Sequence, residues 1–194
     1  PGHTESIAAL SELLDQRGRY DELAEVLEQQ ATRVGAAGDS EQAGALWARV
    51  ADLAETRLRD TDKAIAAYRK VVELRPDNLA LDALARLYLA QDRPDAAAKH
   101  LEQRLENTPE SERVAILLKL ARARIAADQR EKAVQALDTA FGEAPRNGEV
   151  RKLLIRLHRE RDDKPGLART LATAATAVGD PTTDRKSTRL NSSH

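Results

Sequence analysis

The sequence predicts an all-α chain, a solenoid of about five stacked helix–turn–helix units. Three observations predict it. A set of anchors recurs as Leu81, Leu84, Ala85, Tyr88, Ala97, Leu101 and Pro109, and again as Leu117, Leu120, Ala121, Ala133, Leu137, Ala140 and Pro145. Before both stand Trp47, Val50, Ala51, Ala64, Tyr68, Val71 and Pro76. Within each set the apolar residues fall three and four apart, the spacing of one helix face. Aromatic residues make up only 3% of the 194-residue chain, and charged residues 32%. Such a composition starves a compact globule of large core residues. It suits an array in which Ala and Leu nest against the neighbouring unit.

Each unit reads as helix A, a short polar turn and helix B. In the unit over residues 78–111, Leu81, Leu84 and Tyr88 share a face, and Ala85 lets a neighbour approach closely. Gln91-Asp92-Arg93-Pro94-Asp95 ends helix A. Pro94 suits the first turn of helix B, where its missing N–H costs nothing. Pro109 stops helix B. The unit over 43–77 follows the same plan with a turn, Arg59-Asp60-Thr61-Asp62, one residue longer. The unit over 114–147 adds Ile125 and Phe141. Two outer units are more degenerate. Residues 4–37 carry Ile7, Leu10, Leu14, Leu23, Leu27 and Ala31, and residues 148–179 carry Leu154, Ile155, His158, Leu167, Leu171 and Ala174. Equivalent helix-B anchors are Leu23, Ala64, Ala97, Ala133 and Leu167. They lie 41, 33, 36 and 34 residues apart, so that all steps but the first stay near a repeat of about 34 residues. The long first step, around Val34-Gly35-Ala36-Ala37-Gly38, calls for a longer loop or an extended helix B. Asp39 with Gln42 then reads as a capping box.

On these anchors, residues 4–179 resemble the tetratricopeptide repeat family, with Trp47 and Tyr68 at aromatic positions and Tyr88 closing a helix A. The resemblance implies a right-handed α-solenoid and a protein-interaction scaffold. It also has departures. Ala stands for the family's small Gly in three units, Arg104 occupies a position that is usually small, and His158 replaces the helix-A tyrosine.

The two ends read differently from the array. The chain opens Pro1-Gly2 and contains no Met, so it reads as a fragment, and its Arg and Ala content suggests a bacterial source. Residues 180–183 close the natural sequence. Residues 184–194 resemble the in-frame translation of a sequencing adapter and read as an artefactual, disordered tail, together with the Asn191-Ser192-Ser193 sequon inside it. An array without capping units exposes apolar surface at its ends. That exposure is expected at Ile7-Leu10-Leu14 or around Leu167-Leu171.

Several function classes are disfavoured. There is no cysteine, hence no disulfide, thiolate chemistry or cysteine-held zinc. No apolar run approaches the roughly 20 residues of a membrane span, and a cytoplasmic location is expected. The net charge of −1 argues against a dedicated nucleic-acid binder. Charge is uneven: −6 over residues 1–45 and +3 over residues 146–183. No phosphate-binding glycine loop is present. His158 with Asp162 is a helical i, i+4 pair that could touch a metal, but a site needs three or four ligands. His158 as a helix-contact residue is the better reading. Neither a catalytic residue, a metal site nor a cofactor is expected, and the chain is not expected to be an enzyme.

In the family, the residue after the small anchor of helix A commonly faces the groove. Here those residues are Asp52, Arg86, Arg122 and Arg156, with Lys152 and Arg159 beside the last at helical spacing. Arginine's planar fork pairs well with carboxylates. The expected partner is therefore a protein or peptide, acidic or ending in a carboxylate. The family's carboxylate-clamp residues are not matched, because Ala45 and Ala83 stand at comparable places. The alternatives are a regulatory arm of a larger multidomain protein, and an RNA-binding helical repeat. Helix A lacks stacking aromatics for the latter.

Overall fold

The computed structural model describes residues 2–179 and the side chains of residues 8–177. The adapter-like segment 184–194, residues 180–183 and the side chain of Ile7 lie outside the described residues. Among the described residues ten α-helices follow one another: α1 (Gly2–Gln16), α2 (Tyr20–Ala36), α3 (Ser40–Leu53), α4 (Thr61–Leu74), α5 (Asn78–Ala90), α6 (Pro94–Glu106), α7 (Glu110–Ala126), α8 (Arg130–Glu143), α9 (Gly148–Glu160) and α10 (Lys164–Gly179). Odd-numbered helices are the A helices and even-numbered ones the B helices. No strand occurs among the described residues. None of their helices is long and apolar enough to cross a membrane.

The A-to-B turns share one device. Gly18, Asp92, Asp128 and Asp162 take left-handed backbone, with φ of 67°, 55°, 56° and 51°. Asp tolerates this region better than most residues because its short side chain bonds locally. The next N–H then reaches back five residues. Arg19 bonds Leu14 O at 2.9 Å, and Arg93, Gln129 and Asp163 bond Tyr88, Arg124 and His158 O at 2.8 Å. This is the 6→1 closure of a Schellman motif.

The unit with one extra residue differs. The insertion does not lengthen the turn, as the sequence reading expected. Ala54–Leu58 instead winds as a π-helical stretch that continues α3, and α4 begins at Thr61. Arg59 takes the left-handed conformation and Asp60 N–H reaches six residues back, to Ala54 O at 2.9 Å. A π-bulge absorbs one residue without losing the helix's hydrogen bonds, and the turn keeps its form.

The long first step is an extended helix B, since α2 runs 17 residues. Gly38, at φ 92°, then reverses the chain. Asp39 caps α3 by accepting from Gln42 N–H at 2.9 Å. Asp60 and Asp77 cap α4 and α5 in the same way, and the Asn147 side chain accepts from two N–H groups of α9. Each cap satisfies donors that a helix start leaves open.

The chain divides within α6 into two compact units, Pro1–Arg104 and Leu105–His194. In the first, Leu14, Leu23, Ala24, Leu27, Val50, Ala51, Leu53 and Ala67 form one core, flanked by Tyr20, Trp47 and Tyr68. Fully burying one such leucine contributes about 1.5–3 kcal/mol. In the second, Leu117, Leu120, Ala121, Leu137, Ala140, Phe141, Leu154 and Leu157 are buried.

The residue that closes each helix A explains the sequence departures. Tyr88 takes the Arg93 guanidinium over its ring, 4.7 Å from the centroid. Arg124, in the same position of the next unit, donates to Gln129. His158, 1% exposed, donates from Nδ1 to Asp163 Oδ2 at 2.9 Å. In each case the partner lies five residues on, at the start of helix B. One register is therefore served by three chemistries. Arg104, at the usually small position, is buried and reaches Asp82 on α5 at 3.3 Å.

Candidate partner-binding face

The six residues singled out in the sequence fall in both units. In the first, Asp52 is exposed on α3 and Arg86 on α5. Arg86 donates to Glu55 of the π-helical stretch at 2.8 Å. That bond holds the guanidinium pKa above its ordinary value against the opposing effect of burial. Tyr68 reaches the same carboxylate at 3.5 Å. Burial first, then the charges of Glu55 and Asp52, push its phenol pKa up. A cation and two carboxylates thus surround one tyrosine hydroxyl.

In the second unit the A helices α7 and α9 form an open cleft of about 440 Å³ lined by Arg122, Ile125, Glu149, Lys152, Leu153 and Arg156. Arg122 comes from α7. Glu149, Lys152, Leu153 and Arg156 recur at three, four and seven residues along α9, so they share a face. Three cations and one carboxylate ring the mouth, while Ile125 and Leu153 are partly buried beneath. Arg122 pairs with Glu149 across the cleft, and both side chains are more than half exposed. Arg156 pairs with Glu160 at 3.4 Å. Arg159 is exposed on α9 but does not line the cleft.

The structure therefore brings Arg122, Lys152 and Arg156 together. Asp52 and Arg86 belong to a separate cluster in the other unit. Sequence reasoning missed Glu55 and Glu149, the acids that face Arg86 and Arg122. A signal was available for each. Glu149 lies seven residues before Arg156, two turns away on the same face of α9, and Glu55 lies three after Asp52.

Other candidate chemistry is sparse. His158 binds Asp163 rather than Asp162, which occupies the left-handed turn position. No group of three or more potential metal ligands occurs among the described residues. His100 stacks on Tyr88 with centroids 5.5 Å apart, and burial lowers its pKa below the ordinary histidine value. A smaller cleft of about 250 Å³ lies beside Trp47, between Thr32 and Gly35 on one side and Lys70 and Glu73 on the other.

Comparison with known proteins gives a consistent picture. Three family models described as tetratricopeptide repeat match residues 6–41, 55–120 and 115–146, together more than half of the chain. No curated protein sequence matches. Among solved structures, MamA from Desulfovibrio magneticus RS-1 is 18% identical, with a TM-score of 0.53 over 89% of this chain and 93% of that one. A MamA RS-1 double mutant is likewise 18% identical, with a TM-score of 0.55 over 89% and 92%. A putative kinesin light chain from Podosopora anserina, with nearly identical TPR-like repeats, is 20% identical, with a TM-score of 0.53 over 91% and 95%. At these identities the solved structures speak for the fold alone. The chain belongs to the tetratricopeptide repeat family, whose repeats serve in general as protein-interaction scaffolds.

Proposed function

We propose that the chain is a protein-interaction scaffold that receives an acidic peptide segment in the cleft between α7 and α9. One observation carries this reading: Arg122, Lys152 and Arg156 converge over an apolar floor of Ile125 and Leu153. The cations outnumber the one acid, Glu149. Arginine forks bind carboxylates in a bidentate manner, and the floor accepts one aliphatic side chain between flanking acids.

The test uses a fluorescent hexapeptide with a leucine set among aspartates and glutamates, titrated in an anisotropy assay. Charge reversal at Arg122, Lys152 and Arg156 together is expected to weaken binding at least tenfold, or about 1.4 kcal/mol. Reversal of Arg86, in the other unit, should leave it unchanged. Equal affinity for the triple variant and the parent would sink the assignment.

A further inference from the structure

Distances along α9 set the spacing of the charges in its cleft with α7. Leu153 is the floor residue that α9 contributes, and paired charges lie to either side of it. Glu149 stands four residues before Leu153, about 6 Å along the axis at about 1.5 Å per residue. Arg122 reaches over from α7 to that carboxylate, so its guanidinium sits at the level of Glu149. Arg156 stands three residues after Leu153, about 4.5 Å along the axis. Its guanidinium lies 3.4 Å from Glu160, a further turn on. The two arginine heads therefore bracket the floor, one about 6 Å before Leu153 and the other about 5–10 Å after it. Both arginine side chains are more than half exposed, so a ligand group can meet each of them.

That spacing selects the conformation of the ligand. A helical ligand buries a stripe of apolar side chains at i, i+3, i+4 and i+7. Among the described residues that line the cleft, only Ile125 and Leu153 are apolar, too few to cover such a stripe. An extended ligand needs a floor for one side chain at a time. Its residues advance about 3.3 Å each, and successive side chains point to opposite faces. Once an aliphatic side chain lies over Ile125 and Leu153, only even offsets from it return to the cleft side. An offset of two puts a side chain about 6.6 Å to either side, level with the two guanidiniums. An offset of four overshoots at about 13 Å, and offsets of one and three point away.

Resting on the assignment of this cleft to an acidic segment, we propose that the ligand binds extended and carries an acid two residues to each side of a central aliphatic residue. One acid takes the place of Glu149 at Arg122, and the other takes the place of Glu160 at Arg156. Lys152 neighbours Leu153 on α9, level with the floor. Its flexible four-carbon stem can follow either acid. The two arginines thus act as a ruler. A peptide with its acids at another spacing meets one arginine at a time, and there it gains little over the exposed internal pair that it displaces.

Fluorescent nonapeptides of a single composition, blocked at both ends, test this on the full chain. Each has a central leucine and two aspartates, placed symmetrically at an offset of one, two, three or four residues, with serine elsewhere. In anisotropy titrations at low salt, where charges are least screened, the offset-two peptide should bind at least about fivefold tighter than the others. Arg122→Gln and Arg156→Gln should each bring it down to the affinity of the offset-one peptide. Equal affinity across the set overturns the spacing while leaving the cleft an acid-binding site. So does a preference for offset four, the spacing of a helical ligand. An offset-two preference that survives both substitutions overturns the part given to the arginines. No binding by any of the peptides overturns the spacing and the assignment of the cleft together.

Discussion

Gly166 offers the sharpest test of how the fold is held together. It lies in the first turn of α10, against the His158–Asp163 pair. The Cβ of an alanine there would stand 2.5 Å from His158 Nδ1, and nearer still to His158 Cε1 and Asp163 Oδ2. The imidazole cannot yield, because it is 1% exposed and tied to Asp163 at 2.9 Å. Asp163 is tied in turn, accepting the Gly166 N–H at 2.9 Å. Overpacking of this kind costs about 1–3 kcal/mol. Losing the N-terminal cap costs about 1 kcal/mol more. Alanine's higher helix propensity returns less than about 1 kcal/mol. Gly166→Ala should therefore destabilise by about 2 kcal/mol, lowering Tm by about 4–8 °C in a chain of this size. Gly142, near the end of α8, has open space where a Cβ would go. The same substitution there should be neutral, or stabilising by up to about 1 kcal/mol. Urea unfolding followed by circular dichroism measures both, and hydrogen exchange should place the Gly166 effect in α9 and α10. A Gly166→Ala chain as stable as the parent would refute the argument that a rigid histidine, held by an Asp163 that also takes the Gly166 N–H, closes this unit.

Two further outcomes follow from the buried polar groups. Burial pushes the His100 pKa below the ordinary value of 6.5, opposed by its Gln103 hydrogen bond and aided by the charges of Lys99 and Arg69. The unfolded chain then takes up the proton more readily, so stability is full above pH 6.5 and declines as pH falls toward the folded value. His100→Gln should flatten that decline in urea titrations run at stepped pH, and an unchanged slope would count against it. Asp82→Ala removes a carboxylate partner of the buried Arg104 guanidinium and should cost about 1–3 kcal/mol, read as a shift in the urea midpoint.

The helix pairs were legible because stacking imposes a period on the sequence. A residue such as Leu84 or Leu120, buried at the same register of its helix A, must be apolar every time. Small anchors such as Ala51, Ala85 and Ala121 were legible for the same reason, since close approach excludes a larger side chain. The site of the inserted residue was not. Sequence spacing showed one residue too many before Ala64, but the left-handed turn tolerates no extra residue while the helix does, and that choice is made by backbone geometry. His158 looked like a break in the pattern, and Arg124, in the same register of the preceding repeat, was not singled out. Each proved to bind a residue five positions on, a spacing outside the three-and-four rule that guided the reading. The cleft was half legible. Arg122 and Arg156 follow from their shared register in the repeat and Lys152 from the face of α9, whereas the pairing of Arg122 with Glu149 depends on how two helices lie together, which no single-helix pattern encodes.

The acids missed in the sequence matter most for what the cleft can select. Arg122 already has a carboxylate partner, Glu149, and both side chains are more than half exposed. An exposed ion pair contributes about 0–1 kcal/mol. Exchanging Glu149 for a ligand carboxylate is therefore close to neutral, and a lone acid at Arg122 gains little. Arg156 is similarly occupied by Glu160, one turn along the same helix. Lys152, among the described residues, has no carboxylate within ion-pair distance, so it is where a first ligand charge gains most. Under the proposed function, net binding then requires several weak gains at once: a charge on Lys152, exchange at both arginines, and an aliphatic side chain over Ile125 and Leu153. Contacts within one ligand add through effective concentration rather than through any single strong bond. A cleft whose arginines are internally paired therefore discriminates against isolated carboxylates and free acidic metabolites. It favours a peptide that presents two or more acids around an apolar residue, a selectivity that an unpaired arginine ladder would lack.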